Sequence, residues 1–217
     1  MAHPGDVVEA PLFGAQATFL ETTEQTNGEL LRVEVVLPPG FAVAEHVHPD
    51  QEERHKVVRG TLRGRVGGQE RDYGEGELAV GPPGVPHAWG NPSDSAELCL
   101  VSEHRPALRM EELLEGGFTI ARDLQADKRG ALKHLLRMAV LLDDVKDEFY
   151  MARAPAQVLL RSFAALAPVG RLLGYEPLQS EGHRGASSTM VGGVVVGSGL
   201  LFLMLCMLWW RKQLRTR

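Results

Sequence analysis

From residue 17 to residue 104, apolar and polar positions alternate in short runs, interrupted every few residues by turn-forming pairs. Leu31, Val33, Val35 and Leu37 fall on one face of an extended chain, and Arg32 and Glu34 on the other. That period of two marks a strand with one buried and one wet face. The same reading predicts strands over 17–23, 30–37, 41–45, 54–59, 61–66, 71–73, 77–80, 87–90 and 97–104. Between them stand Asn27-Gly28, Pro38-Pro39-Gly40, Gly67-Gly68 and the turn from Gly81 to Gly84. Glycine there supplies positive φ, and proline presets a bend. Short strands with this punctuation predict a mainly β unit over residues 1–106, a sandwich or barrel of jelly-roll type.

Past Pro106 the period changes to three and four. Leu132, Leu135, Leu136, Ala139, Leu142 and Val145 would line one helix face, and helices are predicted over 108–114, 130–151 and 155–175. Pro155 suits a first helical turn, whereas Pro168 should kink or break the last helix. Residues 107–175 are therefore expected to form an α-helical extension packed on or near the barrel. The stretch 176–190 is polar and rich in glycine and serine, and reads as a linker.

Residues 191–210 then run without a charge from Val191 to Trp210. At about 1.5 Å per residue such a stretch reaches across the roughly 30 Å hydrocarbon layer of a bilayer, so one transmembrane helix is expected there. Trp209 and Trp210 would lie at the interface, with Arg211, Lys212 and the rest of the basic tail 211–217 among the headgroups. Gly193 and Gly197 form a small-xxx-small pair through which two such helices could approach, giving a homodimer. Orientation signals conflict. The bases after the span favour a cytoplasmic tail with the barrel outside, yet residues 1–15 lack the charged and apolar regions of a secretory signal. The expectation is a single-pass membrane protein with its barrel on the cytoplasmic side.

Composition narrows the partners. Residues 1–189 hold nineteen lysines and arginines against twenty-eight acids, a net charge of −9, and an acidic body disfavours nucleic acid. The two cysteines, Cys99 and Cys206, do not make a disulfide framework.

Candidate chemistry is concentrated between Gly40 and Asn91. His46 and His48 alternate along an extended run and share a face, about 6.5 to 7 Å apart. Glu53 opens the next strand, and His87 follows the Pro82-Pro83-Gly84 turn. Three neutral imidazoles and one carboxylate suit a divalent first-row metal. No thiolate accompanies them, which excludes a structural zinc site of the cysteine type.

These residues resemble the cupin superfamily. Its first motif is matched by Gly40, His46, His48, Glu53 and Gly60, and its second by Gly76, Pro82, Gly84, His87 and Asn91. The spacing to Gly60 selects Glu53 over Glu52 as the acidic ligand. The resemblance covers about residues 30–104 and implies a single jelly-roll barrel holding one divalent ion on His46, His48, Glu53 and His87. Residues after Arg105 also resemble the extension of many cupin-domain proteins, whereas the run 191–210 departs from the simple pattern. Iron, manganese, nickel, copper and zinc are not distinguished by this ligand set.

Four protein ligands leave a six-coordinate ion with two open positions, which allows Lewis-acid or oxygen chemistry on a small organic molecule. His55 shares the strand face of Glu53 by period two and is a candidate neighbour of the site, and Trp89 shares a face with His87. Asp143, Asp144, Asp147 and Glu148 crowd one helix without a Glu-x-x-His partner and read as a solvated face. Arg153, Arg161 and Arg171, beside Leu159 and Phe163, are candidates for contact with a lipid surface. Two functions follow: an oxygenase- or isomerase-type enzyme anchored at a membrane, or a non-catalytic small-ligand-binding or sensing module.

Overall fold

The computed structural model describes residues 2–178. Its strands are β1 (Val7–Ala10), β2 (Ala15–Glu21), β3 (Leu31–Leu37), β4 (Ala42–Val47), β5 (Glu52–Arg59), β6 (Leu62–Val66), β7 (Gln69–Tyr73), β8 (Leu78–Gly81), β9 (His87–Gly90), β10 (Leu98–Arg105) and β11 (Tyr150–Met151). The helices are α1 (Met110–Ala126), α2 (Ala131–Asp144), α3 (Ala154–Ala164) and α4 (Ala167–Leu172).

The expected single barrel is two antiparallel sheets that share no strand among the described residues. One has the order β1-β2-β3-β10-β5-β8 and the other β11-β4-β9-β6-β7. Their inner faces meet in a core that joins Leu37, Val57, Leu98 and Leu100 of the six-stranded sheet to Leu62 and Trp89 of the five-stranded one. Period two is visible in the burial. Leu31 and Val33 are buried with Arg32 between them half-buried, and Leu98, Leu100, Ser102 and His104 are buried along β10. A second core places α1 against the six-stranded sheet through Phe19, Leu31, Val33, Ala107 and Met110. The phenylalanine, leucine, valine and methionine side chains each contribute about 1.5–3 kcal/mol on burial.

The helical part departs from the sequence expectation in two places. The helix expected over 108–114 continues to Ala126. The one expected over 130–151 ends at Asp144, because Asp143 and Asp144 put negative charge at the helix end whose dipole disfavours it. Tyr150 and Met151 then leave the helical path altogether and pair as β11 with Val47 and His46 of β4. The third helix is broken into α3 and α4 with Pro168 in the first turn of α4, the break its position in the sequence predicted.

The expectation of single-pass membrane anchorage is corrected. Among the described residues no helix is long and apolar enough to cross a membrane. The run 191–210, its Gly193 and Gly197 pair, Cys206 and the basic tail lie outside the described residues. The three arginines read as candidates for lipid contact each also contact protein. Arg171 donates to Asp143 (2.7 Å) and Asp144 (2.6 Å), Arg161 donates to the Lys146 carbonyl (3.0 Å), and Arg153 lies 3.9 Å from Glu45.

Candidate metal centre

Three strands bring the ligand candidates together. His46 is in β4, His48 just past its end, Glu53 at the start of β5 and His87 at the start of β9. Antiparallel pairing sets His46 opposite His87. Two backbone features make the approach possible. Gly84, at φ +73°, turns the chain so that its N–H donates to the His48 carbonyl at 2.8 Å, joining the two motifs. Gly81 leaves room for the ring of His87, since a Cβ there would sit 2.9 Å from its Nδ1.

One ligand atom from each of His46, His48, Glu53 and His87 lies within 4.8 Å of the other three, and all four residues are buried. The three imidazoles are held in the same manner. Nδ1 of His46 donates to the Ala44 carbonyl (2.8 Å), Nδ1 of His87 to the Val85 carbonyl (2.8 Å), and Nδ1 of His48 to the Glu148 carbonyl (3.1 Å). A ring whose Nδ1–H is spent on the main chain presents the Nε2 lone pair, the form that ligates metal. Nε2 of His87 is fully buried and has no hydrogen-bond partner. A buried acceptor left bare costs about 1–3 kcal/mol, and a cation in this position would recover it. The donor set and its orientation thus fit a divalent ion.

Glu53 is held from both sides. The indole N–H of Trp89 donates to its Oε2 at 2.7 Å, and that oxygen lies 3.1 Å from Nε2 of His87 and 3.7 Å from Nε2 of His46. Burial alone would raise the pKa of this carboxyl. The field of His55, with the imidazole contacts of His46, His55 and His87, holds it well below the usual carboxylate range. Burial likewise opposes a charge on His46, but the nearby Glu53 carboxylate and the Ala44 carbonyl outweigh that, and its pKa is raised. His48 is dominated by burial and is pushed down to about 4.

Of the two neighbours predicted from sequence, His55 is buried with Nε2 3.2 Å from Glu53 Oε1, close enough for attraction but misaligned for a hydrogen bond. Trp89 belongs both to the core and to the site. The acidic cluster is not simply a solvated face. Asp143 and Asp144 pair with Arg171, and the Glu148 carboxylate accepts the Arg109 backbone N–H at 2.8 Å. That contact anchors the loop whose carbonyl orients His48, while Phe149 lies 6.2 Å from the His48 ring.

Sequence reasoning missed His104. It is buried on β10, directly across from Glu53 in the strand register, with its ring 6.5 Å from that of His48. Its Nε2 meets the Ser102 hydroxyl at 3.2 Å, and burial pushes its pKa down to about 3. The period-two run Leu98, Leu100, Ser102, His104 was the available signal.

The sequence profile of the cupin domain matches residues 33–102, the stretch that carries both histidine motifs, and this supports the cupin superfamily for that part of the chain. No curated protein matches. Solved structures similar to the chain include a predicted oxalate decarboxylase from Thermotoga maritima, at 19% identity over 42% of this chain and 80% of that one, with a TM-score of 0.40. An RmlC-like cupin from Shewanella frigidimarina matches at 23% identity over 48% and 86%, with a TM-score of 0.42. KdgF from Halomonas sp. matches at 19% identity over 49% and 90%, with a TM-score of 0.41. Likenesses at this level carry no functional argument.

Proposed function

We propose that this chain holds one divalent metal ion on His46, His48, Glu53 and His87 and uses it to act on a small organic molecule. The observation that supports this is the convergence of four ligand atoms within 4.8 Å, with three imidazoles turned by main-chain carbonyls to offer the same nitrogen. A bound ion at this site supplies Lewis-acid polarisation or oxygen activation, the chemistry of isomerases and oxygenases respectively. The residues supply the rest. Ala44, Val85 and Glu148 fix the imidazole tautomers, the Trp89 indole orients the Glu53 carboxylate, and the surrounding burial keeps bulk water out.

Enclosure favours a second reading, a ligand-binding module that turns nothing over, because every ligand residue is buried and the 145–151 segment lies against His48. Elemental analysis of the purified chain beside a His46→Ala, His48→Ala double variant tests the common part. The expected result is near-stoichiometric metal in the first and none in the second. Equal metal in both would place the site elsewhere. Oxygen uptake or product formation by the metal-loaded chain would support the enzyme, and ligand-induced stabilisation without product the binding module.

A further inference from the structure

His55 and His104 are held quite unlike the three ligand histidines. They are 6% and 3% exposed and stand on adjacent strands of the six-stranded sheet, where His55 faces Ser102 and His104 faces Glu53 in the register. Nδ1 and Nε2 of His55 and Nδ1 of His104 have no hydrogen-bond partner. Leaving a buried polar atom unpaired costs about 1–3 kcal/mol, and leucine would fill the same space without that cost. Nε2 of His55 still has the Glu53 carboxylate 3.2 Å away, but the two Nδ1 atoms beside the ligand set call for a partner that is not part of the protein.

We infer that His55 and His104 form the polar wall of a ligand subsite for a small monoanion that sets one oxygen on the metal and a second, neighbouring oxygen against these imidazoles. Charge selects the anion. A divalent ion and the single carboxylate of Glu53 leave one net positive charge in a buried site, which a monoanionic ligand cancels. The free nitrogens select the second oxygen, since a neutral imidazole offers one donor and one acceptor, and with Nε2 of His55 beside Glu53 Oε1 and Nε2 of His104 on the Ser102 hydroxyl it is the Nδ1 of each ring that is left over. His55 and His104 are specificity-determining residues in this scheme and not metal ligands. The inference rests on the metal reading above.

The test uses the full chain loaded with cobalt(II), with His55→Leu and His104→Leu as variants. Lactate and propionate, which differ by one hydroxyl beside the carboxylate, are titrated against the visible absorption of the metal. Lactate is expected to bind the unmodified chain about tenfold more tightly than propionate, and each variant should lose that preference while keeping its full metal content. Each variant should also melt about 2–4 °C higher without ligand, because an unpaired polar group has been removed. A lower melting temperature in both variants would make these two histidines satisfied core residues and overturn the inference. So would an equal lactate preference in all three proteins, or no response to lactate in a metal-loaded chain. Absence of metal from the unmodified chain would instead remove the proposed function, and this subsite with it.

Discussion

The two sheets present histidines to one centre but hold them in opposite ways. His46, His48 and His87 come from the strands of the five-stranded sheet or their ends, and a main-chain carbonyl takes each Nδ1. His55 and His104, from the six-stranded sheet, have no such tie. A tied ring has one nitrogen and one direction left to offer, which is what an ion with fixed bond lengths requires. An untied ring keeps both polarity and choice, which suits a ligand that comes and goes.

Breaking the tied set should have the largest effect. Glu53→Gln removes the only ligand charge while leaving an acceptor for the Trp89 indole, and metal affinity should fall by more than about 100-fold in a competition titration. Gly81→Ala touches no ligand atom, yet its Cβ would lie 2.9 Å from Nδ1 of His87 and compete with the Val85 carbonyl for that space. It should cost about 1–3 kcal/mol in urea denaturation and roughly tenfold or more in metal affinity. Glu148→Ala frees the 145–151 segment from the Arg109 N–H, so the carbonyl on His48 loosens, and affinity should fall about tenfold with little change in overall stability.

Acid separates the sets more gently. The pKa values of His48 and His104 are depressed, to about 4 and about 3, by burial. The unfolded chain takes up protons below about 6.5 that the buried rings refuse, so the metal-free fold loses stability as pH falls from there toward the folded values. His104→Leu should flatten this loss, so its urea midpoint should change less than that of the unmodified chain between pH 7 and pH 4.5. His46 has the opposite sign. Its raised pKa lets protons compete with metal near neutrality, so metal retention should fall as pH drops through and below that range. The smallest effect is expected far from either set. Asp72→Ala removes the bidentate contact with Arg63 on the exposed β6-β7 pair and should cost less than about 1 kcal/mol, with metal content unchanged.

The ligand set was legible because each member is fixed by local spacing. Two residues along a strand put His46 and His48 on one side, and motif glycines such as Gly40, Gly60, Gly76 and Gly84 sit at positive φ, where the chain must turn. What was illegible depends on distant pairing. β11 has two residues and no period to detect, and it lies inside a stretch whose apolar spacing reads as helix until the acids at its end intervene. The Trp89 bond to Glu53 spans 36 residues and needs both sheets in place before it can be seen. His104 continues the period-two run of β10 but lies outside the span of the two motifs, Gly40 to Asn91. Hydropathy over 191–210 produced a membrane expectation that the described residues do not support.

The bond from His48 to the Glu148 carbonyl joins groups 100 residues apart, and this dates the completion of the site during biosynthesis. When the strands bearing both motifs have left the ribosome, two of the three imidazoles already have their local carbonyl partners, while His48 is still a free rotor. Maturation of the centre is thus a late event, deferred until translation has passed the second helix, and an ion captured earlier by the nascent chain would meet an unfinished cage.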